Sequence, residues 1–222
     1  MIPQTWYAGR TSLELLRGPD WAWIGLRSGD GLNRLHSDLL VALDRLFMEL
    51  RWSGVRRVTL SGAGWMTGRG HHFSAGADLH EVGALDAVSA EPFARRGQRV
   101  MAHLLWPGWH SLTVLSGVAM GGGCDLALHG QERWAVGADA AGKGGLRLAH
   151  PAAKHGILTG FGGTVRLPDI LGTQGAERLF RQFETWDEHK ALEGGAAHRV
   201  NDPTAVRGDV LEWLRATGSP QR

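Results

Sequence analysis

Two glycine- and alanine-rich segments hold the residues best suited to chemistry on a carbonyl group. The first, Phe73-Ser74-Ala75-Gly76-Ala77-Asp78-Leu79, follows a β-branched and apolar run from Val55 to Leu60. The second, Ser116-Gly117-Val118-Ala119-Met120-Gly121-Gly122-Gly123-Cys124-Asp125-Leu126, follows the run Leu112 to Leu115. Small side chains leave main-chain N–H groups open to close approach by a ligand atom. Two such loops, each opening a helix, can aim two donors at one carbonyl oxygen and stabilise the charge that develops there. That is an oxyanion hole made from backbone alone. Taken singly, either segment reads as a tight turn that permits close packing.

Other residues with reactive side chains are less suggestive. Asp125 falls in the first turn after the triple glycine, where a carboxylate also satisfies free N–H groups and the helix dipole. His71 and His72 are neighbours on an extended loop and point apart. No third ligand follows at a metal-site spacing, so no metal is expected. Cys124 is the only cysteine. It has no triad around it and reads as small buried filler, excludes an internal disulfide, and fits a reducing compartment.

The elements that must position these loops alternate between strand and helix. Residues 22–28 read as a strand, Gly29-Asp30-Gly31 as a turn, and Ser37 as the start of an amphipathic helix. That helix carries Leu39, Leu40, Leu43, Leu46, Phe47 and Leu50 on one face. Val55 to Ser61 is the next strand, leaving through Ser61-Gly62-Ala63-Gly64 into a polar loop from Trp65 to His72. A helix is expected over 93–105 after Pro92, a strand over Leu112 to Leu115, and a short helix from Gly122 to His129. Strands over Glu132 to Val136 and Leu146 to Ala149 flank a loop from Gly137 to Gly145. Helices over Gly160 to Leu171 and Gly175 to Phe183 are separated by Gly172, and a last helix covers 204–215 after Pro203, before a polar tail. This order implies an α/β fold with right-handed crossovers. The expected division is a core over 1–171 and a short helical C-terminal subdomain over 172–222.

Composition narrows the class of function. Apolar residues make up 43% and charged residues 21% of 222, as in ordinary globular proteins. The net charge of +2 is scattered among acids, with no basic stripe or stacking motif, so no nucleic-acid partner is expected. No apolar run approaches about 18 residues, and the N-terminus lacks a basic stretch followed by an apolar one. A cytoplasmic protein without a membrane partner is the expectation. The ten tryptophans follow no repeat and read as core and interface filler.

Four segments, in this order and spacing, resemble the crotonase (enoyl-CoA hydratase/isomerase) superfamily. They are Leu32-Asn33-Arg34-Leu35, Phe73 to Leu79, Gly117 to Leu128, and Pro151 to Gly156 continuing into Gly160-Phe161-Gly162-Gly163-Thr164-Val165-Arg166-Leu167. The resemblance runs from about residue 22 to about residue 200. It implies a crotonase-like spiral of ββα units with a short helical C-terminal region. It also implies an enzyme acting on an acyl-CoA or acyl-carrier-protein thioester through an enolate. The family's oxyanion donors fall on the N–H groups of Ala77 and Gly122. Its nucleotide and pantetheine contacts, made largely by backbone, nominate Ser74, Ala75, Asp78 and Leu79. Arg34 stands where the family usually has a small residue and reads either as a partner of a CoA phosphate or as a solvated surface residue. No resident cofactor is implied; coenzyme A enters as part of the substrate. The family forms homo-oligomers, which implies a trimer or hexamer here.

The acid/base set departs from the family. Hydratases of this family hold water between two glutamates, and the corresponding positions here are Asp125 and Ala152. Alanine moves no proton, so ordinary two-carboxylate hydration is expected to be impaired. An aspartate at the first position resembles the dienoyl-CoA isomerase branch, but the two further acids of that branch fall on Ala152 and Gly160. One carboxylate, Asp125, suits isomerisation, decarboxylation or a specialised dehydration. His155, His80 and Glu81 are possible assistants. The stretch after Val200 is shorter than the family's usual helical continuation. The competing expectation is a thioester-binding or scaffold protein, without catalysis, that works with a partner subunit.

Overall fold

The computed structural model describes residues 4–8, 10–68 and 72–216. The chain begins with β1 (Gln4–Ala8), β2 (Thr11–Arg17) and β3 (Trp21–Ser28), then α1 (Ser37–Trp52) and β4 (Arg57–Gly62). After a 3-10 turn at Ala63–Thr67 come α2 (Leu79–Gly83), α3 (Ala90–Leu104), β5 (His110–Leu115), β6 (Val118–Met120) and α4 (Gly122–Leu128). Next are β7 (Glu132–Val136), β8 (Arg147–Ala149), a 3-10 turn at Pro151–His155 and α5 (Gly163–Phe180). The described chain finishes with β9 (Thr185–Trp186), α6 (Glu188–Glu193), β10 (Arg199–Asn201) and α7 (Val206–Arg215).

Among the described residues, one sheet has the strand order β1-β2-β3-β4-β5-β7-β10 and a second has β6-β8-β9. In the large sheet the first three strands pair antiparallel, and every neighbour from β3 onward pairs parallel. This is the α/β architecture that the alternation implied. Parallel strands need helical crossovers, and α1 is one of them. Its apolar stripe is wholly buried, each leucine contributing about 1.5–3 kcal/mol by leaving water. His36 caps the helix, its Nδ1 accepting the Leu39 N–H at 3.3 Å.

The differences from the sequence reading have local causes. The β1–β2 hairpin was not foreseen: β2 is buried along almost its whole length, so it shows no period-two alternation. Helix α3 starts at Ala90, ahead of Pro92, because a proline in the first turn forfeits only an N–H that has no helical partner. The two helices expected around Gly172 lie end to end as α5, which starts at Gly163 and is broken where Gly172 adopts φ 68° and ψ 170°. Residues beyond Gly172, expected to be helical, also supply β9 to the small sheet and β10 to the edge of the large one. Val206, Val210 and Leu214 of α7 join Trp23, Trp65 and Trp134 in a second apolar cluster. Among the described residues no helix is long and apolar enough to cross a membrane.

Candidate active site

The two glycine loops are stitched into one structure. On one side of the first loop, Ala75 N–H donates to Leu32 O (2.8 Å) and Leu35 N–H donates to Gly76 O (2.8 Å). On its other side, Ser74 N–H donates to Val118 O (2.9 Å) and Met120 N–H donates to Ser74 O (2.9 Å). Buried Asn33, at φ 49°, donates its side-chain amide to the carbonyls of His72 and Phe73. Asparagine tolerates that left-handed conformation, which explains its place before the first helix. A Cβ on Gly76, which sits at φ 93°, would lie 2.4 Å from Met120 O. One on Gly123 would lie 2.3 Å from Ser74 O. The loops meet only because these positions are bare.

Their meeting brings the amides of Ala77 and Gly122 together. A Cβ built on Gly122 would lie 3.5 Å from Ala77 N. Neither N–H has an acceptor among the described residues, and Gly122 opens α4, where an N–H has no helical partner. Both residues line a cavity of about 510 Å³. Val82, Leu85, Phe93, Ile157 and Phe161 give that cavity an apolar region suited to an acyl group. Phe93 and Phe161 stand 5.3 Å apart, and Gly97 leaves room for the Phe161 ring, which lies 2.1 Å from where a Cβ would be. A larger cavity of about 660 Å³ lies along the Gly29–Gly31 turn and the 137–144 loop, and includes neither amide.

Asp125 is fully buried and does not line the cavity. Its Oδ1 accepts from His150 Nε2 at 3.1 Å, and its Oδ2 accepts from Thr159 Oγ1. His129 Nδ1 donates to its main-chain carbonyl at 2.7 Å, and burial holds the His129 imidazole below its usual range. Gly163 admits the carboxylate, since a Cβ there would lie 1.9 Å from Oδ1. His150 and Thr159, which do line the cavity, stand between Asp125 and the space that a substrate would fill. The sequence reading missed both. His150 is a lone histidine before a proline, and its partner lies 25 positions earlier. The available signal was His150 adjoining Pro151 and Ala152, where the expected acid is missing. Ala152 itself is on the cavity wall.

The remaining candidates separate. Ala75 and Leu79 line the cavity. Ser74 does not: it is buried, its Oγ donating to Asn33 O and accepting from Gly76 N–H, so it fastens the loop. Asp78 caps α2; burial opposes its ionisation, but the amides of Glu81 and His80 hold its carboxyl below the ordinary range. Arg34 pairs with Asp30 on the surface. Glu81 accepts from Ser37 N–H at 2.9 Å and is tied to α1, and His80 is exposed away from the cavity wall. His155 is on that wall. His72 Nδ1 accepts the Val118 N–H at 3.1 Å, while His71 lies outside the described residues. Cys124 is buried, and burial together with the Asp125 charge pushes its thiol well up.

A sequence model described as enoyl-CoA hydratase/isomerase matches residues 28–219. A short-chain-enoyl-CoA hydratase of Clostridium acetobutylicum is 30% identical over 182 residues, covering 82% of this chain and 65% of that protein. A crotonyl-CoA hydratase of Syntrophomonas wolfei is 30% identical over 146 residues, covering 65% of this chain and 54% of that protein. The chain thus matches between half and two thirds of the length of these curated relatives. Among solved structures, DspI of Pseudomonas aeruginosa superposes with a TM-score of 0.79 at 29% identity, covering 91% of this chain and 72% of that one. An enoyl-CoA hydratase of Thermoplasma volcanium gives a TM-score of 0.79 at 25% identity, covering 91% and 76%.

Proposed function

The chain belongs to the enoyl-CoA hydratase/isomerase family, and on that premise we propose that it is an acyl-thioester enzyme working through an enolate. The substrate is a thioester of coenzyme A or of an acyl carrier protein, and no resident cofactor takes part. The observation that carries this reading is the pair of amides, Ala77 and Gly122, without an acceptor among the described residues and on one cavity wall. With the thioester oxygen between them, they stabilise negative charge as a proton leaves the neighbouring carbon or a carboxylate is lost. Fixed donors in a water-poor site are worth about 2.7–4 kcal/mol apiece in such a step. Ala75 and Leu79 line the same cavity and contact the thioester arm. Leu79 and Leu158 are exposed at its wall, which suits cover by a second subunit of a homo-oligomer.

The curated relatives are named hydratases, and adding water needs groups that hold and deprotonate it. Ala152 supplies none, and Asp125 is enclosed. We therefore favour a reaction needing one proton-moving group: isomerisation, decarboxylation or a specialised dehydration. The test is a panel of crotonyl-CoA, a 3-enoyl-CoA and a malonyl-type thioester. Crotonyl-CoA is expected to hydrate very slowly, and another member of the panel to turn over. Crotonyl-CoA hydration at the rate of ordinary hydratases, surviving Asp125→Ala, overturns the choice of reaction. Tight binding of all three with no product supports a thioester-binding protein instead.

A further inference from the structure

We infer that His150, held by Asp125, is the catalytic base of this site, taking and returning the substrate proton through its Nδ1; this rests on reading the site as one that stabilises an enolate. Asp125 bonds His150 and Thr159, is fully buried and does not line the cavity, so it is a positioning residue. A carboxylate only accepts, so the proton of the His150–Asp125 bond sits on Nε2. The other ring nitrogen, Nδ1, then carries a lone pair. It is buried and has no partner among the described residues. Of the buried polar side-chain atoms in that state, it alone belongs to a residue lining the 510 Å³ cavity. An acceptor left so is costly unless a ligand meets it.

The surroundings fix the ring. Phe180 of α5 packs against it with centroids 4.5 Å apart, and Asp125 of α4 holds its far edge. The ionisable groups of this cluster are Asp125 itself, His129 at the C-terminal cap of α4 and bonded to the Asp125 carbonyl, Arg166 of α5, whose charge reaches His129, and His155 on the same cavity wall. Only Asp125 is bonded to the imidazole among the described residues.

The step balances with no further reactant. The Nδ1 lone pair forms an N–H bond as the C–H bond beside the thioester carbonyl breaks. The C–H electron pair enters the carbon–carbon bond, and negative charge settles on the thioester oxygen facing Ala77 and Gly122. The imidazolium, bonded to Asp125, returns its proton to the same carbon or, where a conjugated enolate has formed, to the γ carbon. The first outcome is isotope exchange and the second moves a double bond.

The experiment follows deuterium uptake from D2O into butyryl-CoA by mass spectrometry, with binding measured separately by calorimetry. Wild type is expected to exchange. His150→Gln is expected to lose at least about 100-fold in exchange, with affinity for butyryl-CoA within threefold. In His150→Ala, added imidazole is expected to restore part of the exchange. Asp125→Asn is expected to keep affinity, lose about tenfold in rate and move the rising limb of the pH–rate profile. Exchange by His150→Gln within threefold of wild type overturns the assignment. So does a folded His150→Ala protein whose lost exchange imidazole does not restore. A wild type that binds butyryl-CoA without exchange overturns this assignment, and overturns the enolate reading as well when no member of the thioester panel turns over.

Discussion

The two sides of the cavity are built from different materials. The side carrying Ala77 and Gly122 is main chain, held by strand-like hydrogen bonds between loops and by glycines with no room for a Cβ. The side carrying Asp125, His150 and Thr159 is a chain of side-chain hydrogen bonds drawn from three separate segments. A backbone donor is fixed by the path of the chain and tolerates many side chains around it. A side-chain relay depends on each identity in it, and one change redirects the chemistry. The charge-stabilising side can therefore stay constant while the proton-handling side varies, as Ala152 illustrates.

This contrast can be broken from either side. The largest effect is expected from Gly76→Ala, which adds a Cβ 2.4 Å from Met120 O at a residue held at φ 93°. Pushing the loops apart should cut exchange about 10²–10³-fold, the cost of losing one oxyanion donor, and should weaken thioester binding in the calorimeter. A smaller and more selective effect is expected from Gly163→Ala, whose Cβ would collide with Asp125 Oδ1 at 1.9 Å. Overpacking of this kind costs about 1–3 kcal/mol in a melting experiment. Exchange should fall about tenfold, as for Asp125→Asn, while butyryl-CoA binding survives. If binding is lost as well, the two sides are not separable. The smallest effect is expected from Arg34→Ala, which removes an exposed pair with Asp30 worth about 0–1 kcal/mol. Its KM for a CoA thioester should rise less than about threefold, and less still at high salt.

The same contrast governs what the sequence made legible. Both glycine loops could be read directly, because close backbone approach demands glycine at fixed places such as Gly76 and Gly123. Helix α1 was legible from its leucine spacing, and β7 from its boundaries. The hairpin of β1 and β2 was not, since β2 buries both faces and loses its alternation. A strand of two residues such as β9 exists through a partner far away in the chain and carries no local pattern. His150 belongs to that second kind. Nothing around it announces Asp125, and the aspartate alone read equally well as a helix-start residue. Ser74, by contrast, was placed correctly in the loop, but its hydroxyl turned inward to Asn33.

The place of β10 at the sheet edge bears on how the protein is made. It pairs parallel with β7, Arg199 lying opposite Trp134. Arg133 of β7 is buried with its guanidinium bonded to the carbonyls of Gly195 and Ala196, just ahead of β10. On the ribosome, β7 emerges long before those acceptors exist. At about 5–20 residues per second, its open edge and its cation wait several seconds for the strand that covers them. An open parallel-strand edge is a template for pairing with other chains. The nascent protein thus carries this uncovered edge from its seventh strand to its tenth, after both glycine loops have already been synthesised.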